Sequence, residues 1–207
     1  MNRRGYPSYP PSGNWDRRLR EVACHALAPV RLLHRNDWFA VRDRGGYFTT
    51  EFHEPQIVVL PVVERRAVVM VRARRPVIDD TTLELPAGAG EAGETPEQGG
   101  ARELAEETGI MIDPGRLVPM PPLAASPNRI PTLLYVFRVD LSQDEFDRRG
   151  VHDEEVEGVD LVPFEEAVRR IAAGEIYVAL PVAVICSYLV TRDSRTSDIR
   201  KGQAAYR

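Results

Sequence analysis

Three glutamates crowd one short stretch of this chain, Arg102-Glu103-Leu104-Ala105-Glu106-Glu107. Like charges three and four residues apart on a helix repel by about 0.2–0.5 kcal/mol per pair. A single arginine, Arg102, does not neutralise Glu103, Glu106 and Glu107. Carboxylate oxygens suit a hard divalent cation such as Mg²⁺ or Mn²⁺, which keeps bound waters available for hydrolysis. The plain alternative is a solvated acidic face, and the surrounding residues decide between the two.

The element that must carry these side chains writes its own ends. Thr95 is an N-cap type, Pro96 suits the first helical position, and Gln98 follows the cap at the spacing of a capping box. Gly109 writes the stop. The sequence therefore predicts a helix from Pro96 to Thr108. At about 100° per residue with Ala101 as origin, Leu104, Ala105 and Thr108 lie within about 60° and form a narrow apolar stripe. Glu103, Glu106 and Glu107 fall near about 200°, 140° and 240°, on the opposite side. The helix dipole disfavours anions in these last turns, a local cost that a bound cation relieves. Just ahead, Gly88-Ala89-Gly90-Glu91-Ala92-Gly93 spells a dinucleotide-like glycine pattern. That fingerprint needs a βαβ unit and a helix N-terminus open to pyrophosphate. Here Glu91 and Glu94 fill the loop, Pro86 interrupts the preceding strand, and no parallel strand follows promptly, so the reading is set aside.

From Gly88 to Ile110 the chain reads GAGEAGETPEQGGARELAEETGI. Gly88, Glu94, Arg102-Glu103-Leu104, Glu106-Glu107 and Gly109-Ile110 stand at the fixed positions of the Nudix box, and the chain resembles the Nudix hydrolase family. The resemblance implies an enzyme that cleaves a diphosphate linked to another moiety, with Mg²⁺ (or Mn²⁺) as cofactor. It implies that Glu103 and Glu107 ligate the metal, that Glu106 completes the cluster, and that the Ala87 carbonyl is a further ligand. Glu94 would reach a metal or brace the loop. Arg102 would hold a box glutamate in place; an ordinary i,i+4 pair with Glu106 is the plain reading, and both can hold together.

The lead-in Leu83-Glu84-Leu85-Pro86-Ala87-Gly88, Pro127 beyond the box, and Gly174-Glu175-Ile176 before an apolar segment resemble the branch that cleaves ADP-ribose and other nucleoside diphosphate sugars. That similarity covers about Trp38 to Val190. The branch often draws its catalytic base from a late acidic loop, and His152-Asp153-Glu154-Glu155-Val156-Glu157 stands at the matching place. This implies Glu154 as base with Glu155 second, against the plain reading of a solvated acidic turn. Arg75, Glu84 and Arg129 are the implied substrate contacts. Trp38 stacks on a base, lines an interface, or is a core aromatic. Two departures bear on the substrate. Arg74-Arg75 stands where the branch has Tyr-Arg, and the loop Ser126-Pro127-Asn128-Arg129 is shorter than usual with no acidic residue following. The implied reaction converts ADP-ribose to AMP and ribose 5-phosphate. The alternatives are another diphosphate (GDP-mannose, a dinucleoside polyphosphate, an oxidised nucleotide) or a sensor that binds ADP-ribose without cleaving it.

With 207 residues, 43% hydrophobic and 28% charged, the chain suits one soluble core with a small accessory element. A net charge of −4 and a pI near 5.7 supply no bulk basic field, so nucleic acid is not an expected partner. The apolar run Ile176 to Val190 is too short to span a bilayer and contains Pro181. The N-terminus has no apolar signal-peptide core. Cys24 and Cys186 lie in no metal-ligand spacing and His25, His34, His53 and His152 are scattered, so a reducing cytoplasm is the expected location.

Residues 1–14, rich in Pro, Gly, Tyr and Ser, read as a flexible tail. Trp15 to Leu33 carries no clear pattern. Trp38 to Asp43 and Tyr47 to His53 alternate around Arg44-Gly45-Gly46 as a β-hairpin. The extension 15–55 is similar to the β element with which the nucleotide-sugar branch builds its dimer, so a homodimer is expected. Residues 56–190 form the hydrolase domain and 191–207 a second flexible tail. Strands are expected at Gln56 to Val63, Ala67 to Arg74, Arg116 to Met120, Thr132 to Asp140 and Val156 to Val162, with an acidic loop at Leu141 to Val151. A helix starting at Pro163 or Phe164 and ending at Ala173 should turn Ala167, Val168 and Ile171 inward, and Pro181 to Val190 is a last buried helix. This interleaving is α+β. It agrees with the α/β/α sandwich around a mixed sheet that the resemblance implies, plus the N-terminal β-hairpin.

Overall fold

The computed structural model describes residues 17–204 apart from 20, 23 and 25, with backbone alone for 17 and 193–204. The expected tail at 1–14 lies outside the described residues. Three strands follow a 3-10 turn at Arg17–Leu19: β1 (Val30–Arg35), β2 (Phe39–Arg44) and β3 (Tyr47–Phe52). They form an antiparallel sheet in that order, with β2 and β3 joined at Gly45-Gly46. The hairpin is as expected. Its third strand, β1, was not foreseen, because Val30-Arg31-Leu32-Leu33-His34-Arg35 lacks the alternation of a half-buried strand, and all six residues are exposed.

The second sheet contains β4 (Gln56–Val63), β5 (Ala67–Arg75), β6 (Asp80–Glu84), β7 (Ala87–Ala89), β8 (Val118–Pro119), β9 (Tyr135–Leu141) and β10 (Val156–Pro163). Its order is β10-β5-β4-β9-β8, with β6 paired to β5 and β7 to β4. The β4–β9 pair is parallel and the others are antiparallel, so the sheet is mixed. β4 is apolar on both sides because both its faces are covered. Ile57, Val59 and Val63 pack with Leu104 and Phe137 on one face. Val58, Leu60 and Val62 pack with Ala167, Val184 and Ile185 on the other. Fully burying each such side chain stabilises the fold by about 1.5–3 kcal/mol.

Helix α1 (Pro96–Thr108) covers the first face, while α3 (Phe164–Ala172) and α4 (Ala179–Ala204) cover the second. The result is the expected α/β/α sandwich. β4 and β5 pair only at Val62↔Val68 and Val63↔Ala67 next to their turn, and then diverge. β6 lines the open side of β5 and β7 that of β4, so the chain changes partner at Leu85-Pro86. Pro86, which has no N–H to donate, still accepts from Val59 N–H at 2.9 Å. This fork sets β7 beside α1.

Four local expectations are corrected. The span Leu141 to Val151 is not all loop: α2 (Gln143–Asp147) starts at a capping box between Ser142 and Glu145. The strand at Arg116 to Met120 shrinks to β8, because Pro114–Arg116 close a 3-10 turn. Val168 is 46% exposed rather than inward, while Ala167 is fully buried. α4 does not stop at Val190 but continues to Ala204. Among the described residues no helix is long and apolar enough to cross a membrane.

Candidate active site

The acidic helix has the predicted ends. Thr95 Oγ1 accepts from Gln98 N–H (3.2 Å) and Gln98 Oε1 from Thr95 N–H (2.8 Å). Gly109 closes the helix at φ 71°, in the left-handed region, with its N–H on the Ala105 carbonyl.

Around α1 the three glutamates are not equivalent. Glu106 faces solvent, the Glu103 side chain is only 12% exposed, and Glu107 is 8% exposed. A helical wheel places Glu107 outward, but the N–H of Ala87 in β7 reaches it and donates to Oε2 at 3.1 Å. The ladder explains why that donor is free. Gly90 N–H bonds Pro55 O and Val59 N–H bonds Pro86 O, so in antiparallel alternation Ala87 and Ala89 turn their backbone groups away from β4, toward α1. The Ala89 carbonyl accepts from Arg102 Nη2 at 2.7 Å, and the Ala87 carbonyl lies on the same edge. Gly88 between them is needed for space: a Cβ there would stand 2.3 Å from the Glu103 carboxyl group.

Arg102 ties the cluster together. Its Nε donates to Glu94 (3.1 Å), and its Nη1 to Glu103 (2.9 Å) and Glu106 (2.8 Å). Glu94 also accepts Glu91 N–H at 2.9 Å, which fixes the loop. Burial opposes the Arg102 charge, but the bonds to Glu94, Glu103 and Glu106 outweigh it and raise its pKa. Burial pushes the Glu107 carboxyl up to about 8, aided by the neighbouring charges of Glu103 and Asp153. Glu103 is also raised, by burial first and then by Glu106 and Glu155, against the pull of Arg102. Two buried carboxyls that resist ionisation beside one arginine form a site short of positive charge. The oxygen donors of Glu103, Glu106, Glu107 and Ala87 fit a hard divalent cation. Among the described residues no ready-made cage of three such side chains exists, and Arg102 is bonded to Glu94, Glu103 and Glu106.

Across the fork, Arg75 at the end of β5 grips Glu84 of β6 through Nε (2.7 Å) and Nη2 (3.1 Å). Burial works against the Glu84 charge, but Arg75 and Thr82 hold its pKa below the ordinary value. Glu107 and Glu155 both act on the Arg75 charge, so this pair lies within electrostatic reach of the cluster. The loop before β10 is fastened to the end of α1: Gly150 N–H donates to Gly109 O and Asp153 N–H to Glu106 O, each at 2.8 Å. Both Glu154 and Glu155 are exposed. The charge of Glu155 acts at Glu103 and at Arg75.

Trp38 and Arg129 lie at the small sheet. Trp38 is 71% exposed beside the small sheet and is no core aromatic of the protomer. Arg129 is bound to β3, accepting Thr50 N–H through its carbonyl (2.7 Å) and donating Nη1 to Phe48 O (3.3 Å). Sequence reasoning missed the Ala89 carbonyl and Asp153. Asx residues that bond the chain two positions on are a readable signal, and Asp153 Oδ1 accepts Glu155 N–H at 3.0 Å.

The fold is similar to that of a solved structure described as "Crystal structure of ADP compounds hydrolase". The two superpose with a TM-score of 0.63 at 15% identity, over 81% of this chain and 93% of that one. The NUDIX domain model matches residues 53–180. The chain belongs to the Nudix family, and as an enzyme it is a Nudix pyrophosphatase. A relative in Bacillus subtilis (strain 168), "ADP-ribose pyrophosphatase", is 29% identical over 142 residues, which are 69% of this chain and 75% of the relative.

Proposed function

We propose that this enzyme hydrolyses the diphosphate of nucleoside diphosphate sugars, ADP-ribose first, giving AMP and ribose 5-phosphate. The observation that carries the chemistry is the pair of carboxyls on α1, Glu103 and Glu107, crowded against the outward backbone edge of β7 where burial disfavours their charge. The similarity to the Bacillus subtilis relative favours ADP-ribose among the diphosphates.

In this reading Glu103, Glu106, Glu107 and the Ala87 carbonyl hold Mg²⁺ or Mn²⁺. When bound, such an ion neutralises phosphate charge and lowers the pKa of a coordinated water. The chain's own groups do the rest. Arg102 keeps Glu94, Glu103 and Glu106 aligned from outside the donor set. Glu84 takes two donors of Arg75 and leaves its Nη1 edge for a phosphate oxygen, a task suited to guanidinium. A carboxylate of the 152–155 loop accepts the proton of the attacking water, and the electrostatic reach of Glu155 favours it over Glu154. Arg129 and Trp38 contact substrate where a second copy brings its small sheet to the site. A homodimer joined through β1–β3 supplies that, and a cytoplasmic location follows from the substrate class. On this reading residues 56–190 are the catalytic domain and 15–55 the dimer element.

A panel of ADP-ribose, GDP-mannose, dinucleoside polyphosphates and oxidised nucleotides with Mg²⁺, read by phosphate-containing products, tests this. The expected result is the highest kcat/KM on ADP-ribose and no turnover in chelator. Preference for another diphosphate transfers the reading to that substrate. Tight binding of ADP-ribose without turnover of any member makes the protein a sensor.

A further inference from the structure

The loop that carries Glu154 and Glu155 is held to the metal helix by backbone, and the holding parts are specific. Gly150 N–H bonds the Gly109 carbonyl and Asp153 N–H bonds the Glu106 carbonyl, each at 2.8 Å. These take two of the carbonyls that a helix end leaves without intrahelical partners. The next link is a side chain: Asp153 Oδ1 accepts the N–H of Glu155 at 3.0 Å. Asp153 is thus bonded to the glutamate helix through its N–H and to Glu155 through its carboxylate. The fit at the other clamp is one-sided. A Cβ on Gly109 would lie 2.3 Å from the Gly150 oxygen, with φ 71° besides, whereas a Cβ on Gly150 would lie 3.5 Å from the Gly109 oxygen, an ordinary contact.

We propose that Asp153 and Gly109 are positioning residues that set the 152–155 loop, and Glu155 with it, at a fixed distance from Glu103 and Glu107. Gly109 is more than a helix stop. Its missing side chain lets the base loop pack against the helix that would hold the metal. This inference rests on the assignment of the proton acceptor to that loop.

Five variants of the full-length enzyme, assayed on ADP-ribose with Mg²⁺, test it. Displacing a reacting group by about an ångström costs up to about a hundredfold in rate. Asp153→Ala is therefore expected to lower kcat about tenfold with KM within about twofold, while Asp153→Asn, which keeps the acceptor oxygen, restores most of it. Gly109→Ala lowers kcat at least as far, and Gly150→Ala stays within about twofold of the parent. Glu155→Gln lowers kcat by at least about tenfold. A slow Glu155→Gln beside an unimpaired Asp153→Ala overturns the positioning role and leaves the base in place. Equal losses in Asp153→Asn and Asp153→Ala overturn it too, since charge rather than the Glu155 bond then matters. An unimpaired Glu155→Gln removes the base itself, and the positioning role falls with it.

Discussion

Gly88 shows how much chemistry can hang on an absent side chain. A methyl group there would stand 2.3 Å from the Glu103 carboxyl group, the far end of a side chain that can swing away. Gly88→Ala is therefore expected to fold with a Tm within about 3 °C of the parent. It should nonetheless lose about a hundredfold in kcat/KM, because Glu103 is pushed out of place. A melting curve and a Mg²⁺-dependent assay on one preparation check both halves. Glu107 carries a second prediction. A carboxyl whose folded pKa is pushed up to about 8 keeps its proton when folded and releases it on unfolding. Stability of the metal-free protein therefore falls as pH rises from the ordinary carboxylate range toward 8, by at most about 1.4 kcal/mol per pH unit for one group. Glu84, Glu94 and Glu145, whose pKa values are lowered, act in the opposite sense but only below that range. Melts in chelator between about pH 5 and 8 should slope downward, and Glu107→Gln should flatten most of the slope.

At the level of elements, α1 was fully legible because its ends are written in local hydrogen bonds. Thr95, Pro96, Gln98 and Gly109 need no knowledge of the rest of the chain, and the helix runs from Pro96 to Thr108 as predicted. Thr95→Ala, which removes the acceptor for Gln98 N–H, should destabilise the protein by about 1 kcal/mol, seen as a Tm lower by about 2–4 °C. The same grammar was present and unread at Ser142-Gln143-Asp144-Glu145, where the capping box starts α2 inside a stretch whose acidic composition suggested loop. The burial of Glu107 was illegible for another reason. A helical wheel ranks directions about one axis, and only the β4–β7 register shows that a backbone donor waits in one of them. β1 left no trace in hydrophobic alternation because neither of its faces is covered within the protomer. Its existence depends on pairing with β2, which local pattern cannot report.

For the molecule as a whole, the small sheet is the unfinished part. Val30, Leu32 and Leu33 of β1, with Trp38, Tyr47 and Phe48, are large apolar side chains left about half or more exposed. A patch of this kind on a three-stranded sheet fits an interface with a second copy. Light scattering on the parent protein is expected to give twice the chain mass, and Val30→Lys combined with Leu32→Lys to give a monomer; a monomeric parent sinks the dimer. The fork in the large sheet, where β6 ends on β5 and β7 begins on β4, has a consequence of another kind. Because Ala87 turns its N–H away from the ladder, that amide proton is guarded by a titratable carboxylate instead of a strand. Its rate of exchange with deuterated solvent should then report on Glu107 alone, while the Val59 amide on the Pro86 carbonyl stays locked with the sheet. Solvent isotope uptake at one backbone position would thus report, without any assay of turnover, whether an added divalent cation binds at the glutamate helix.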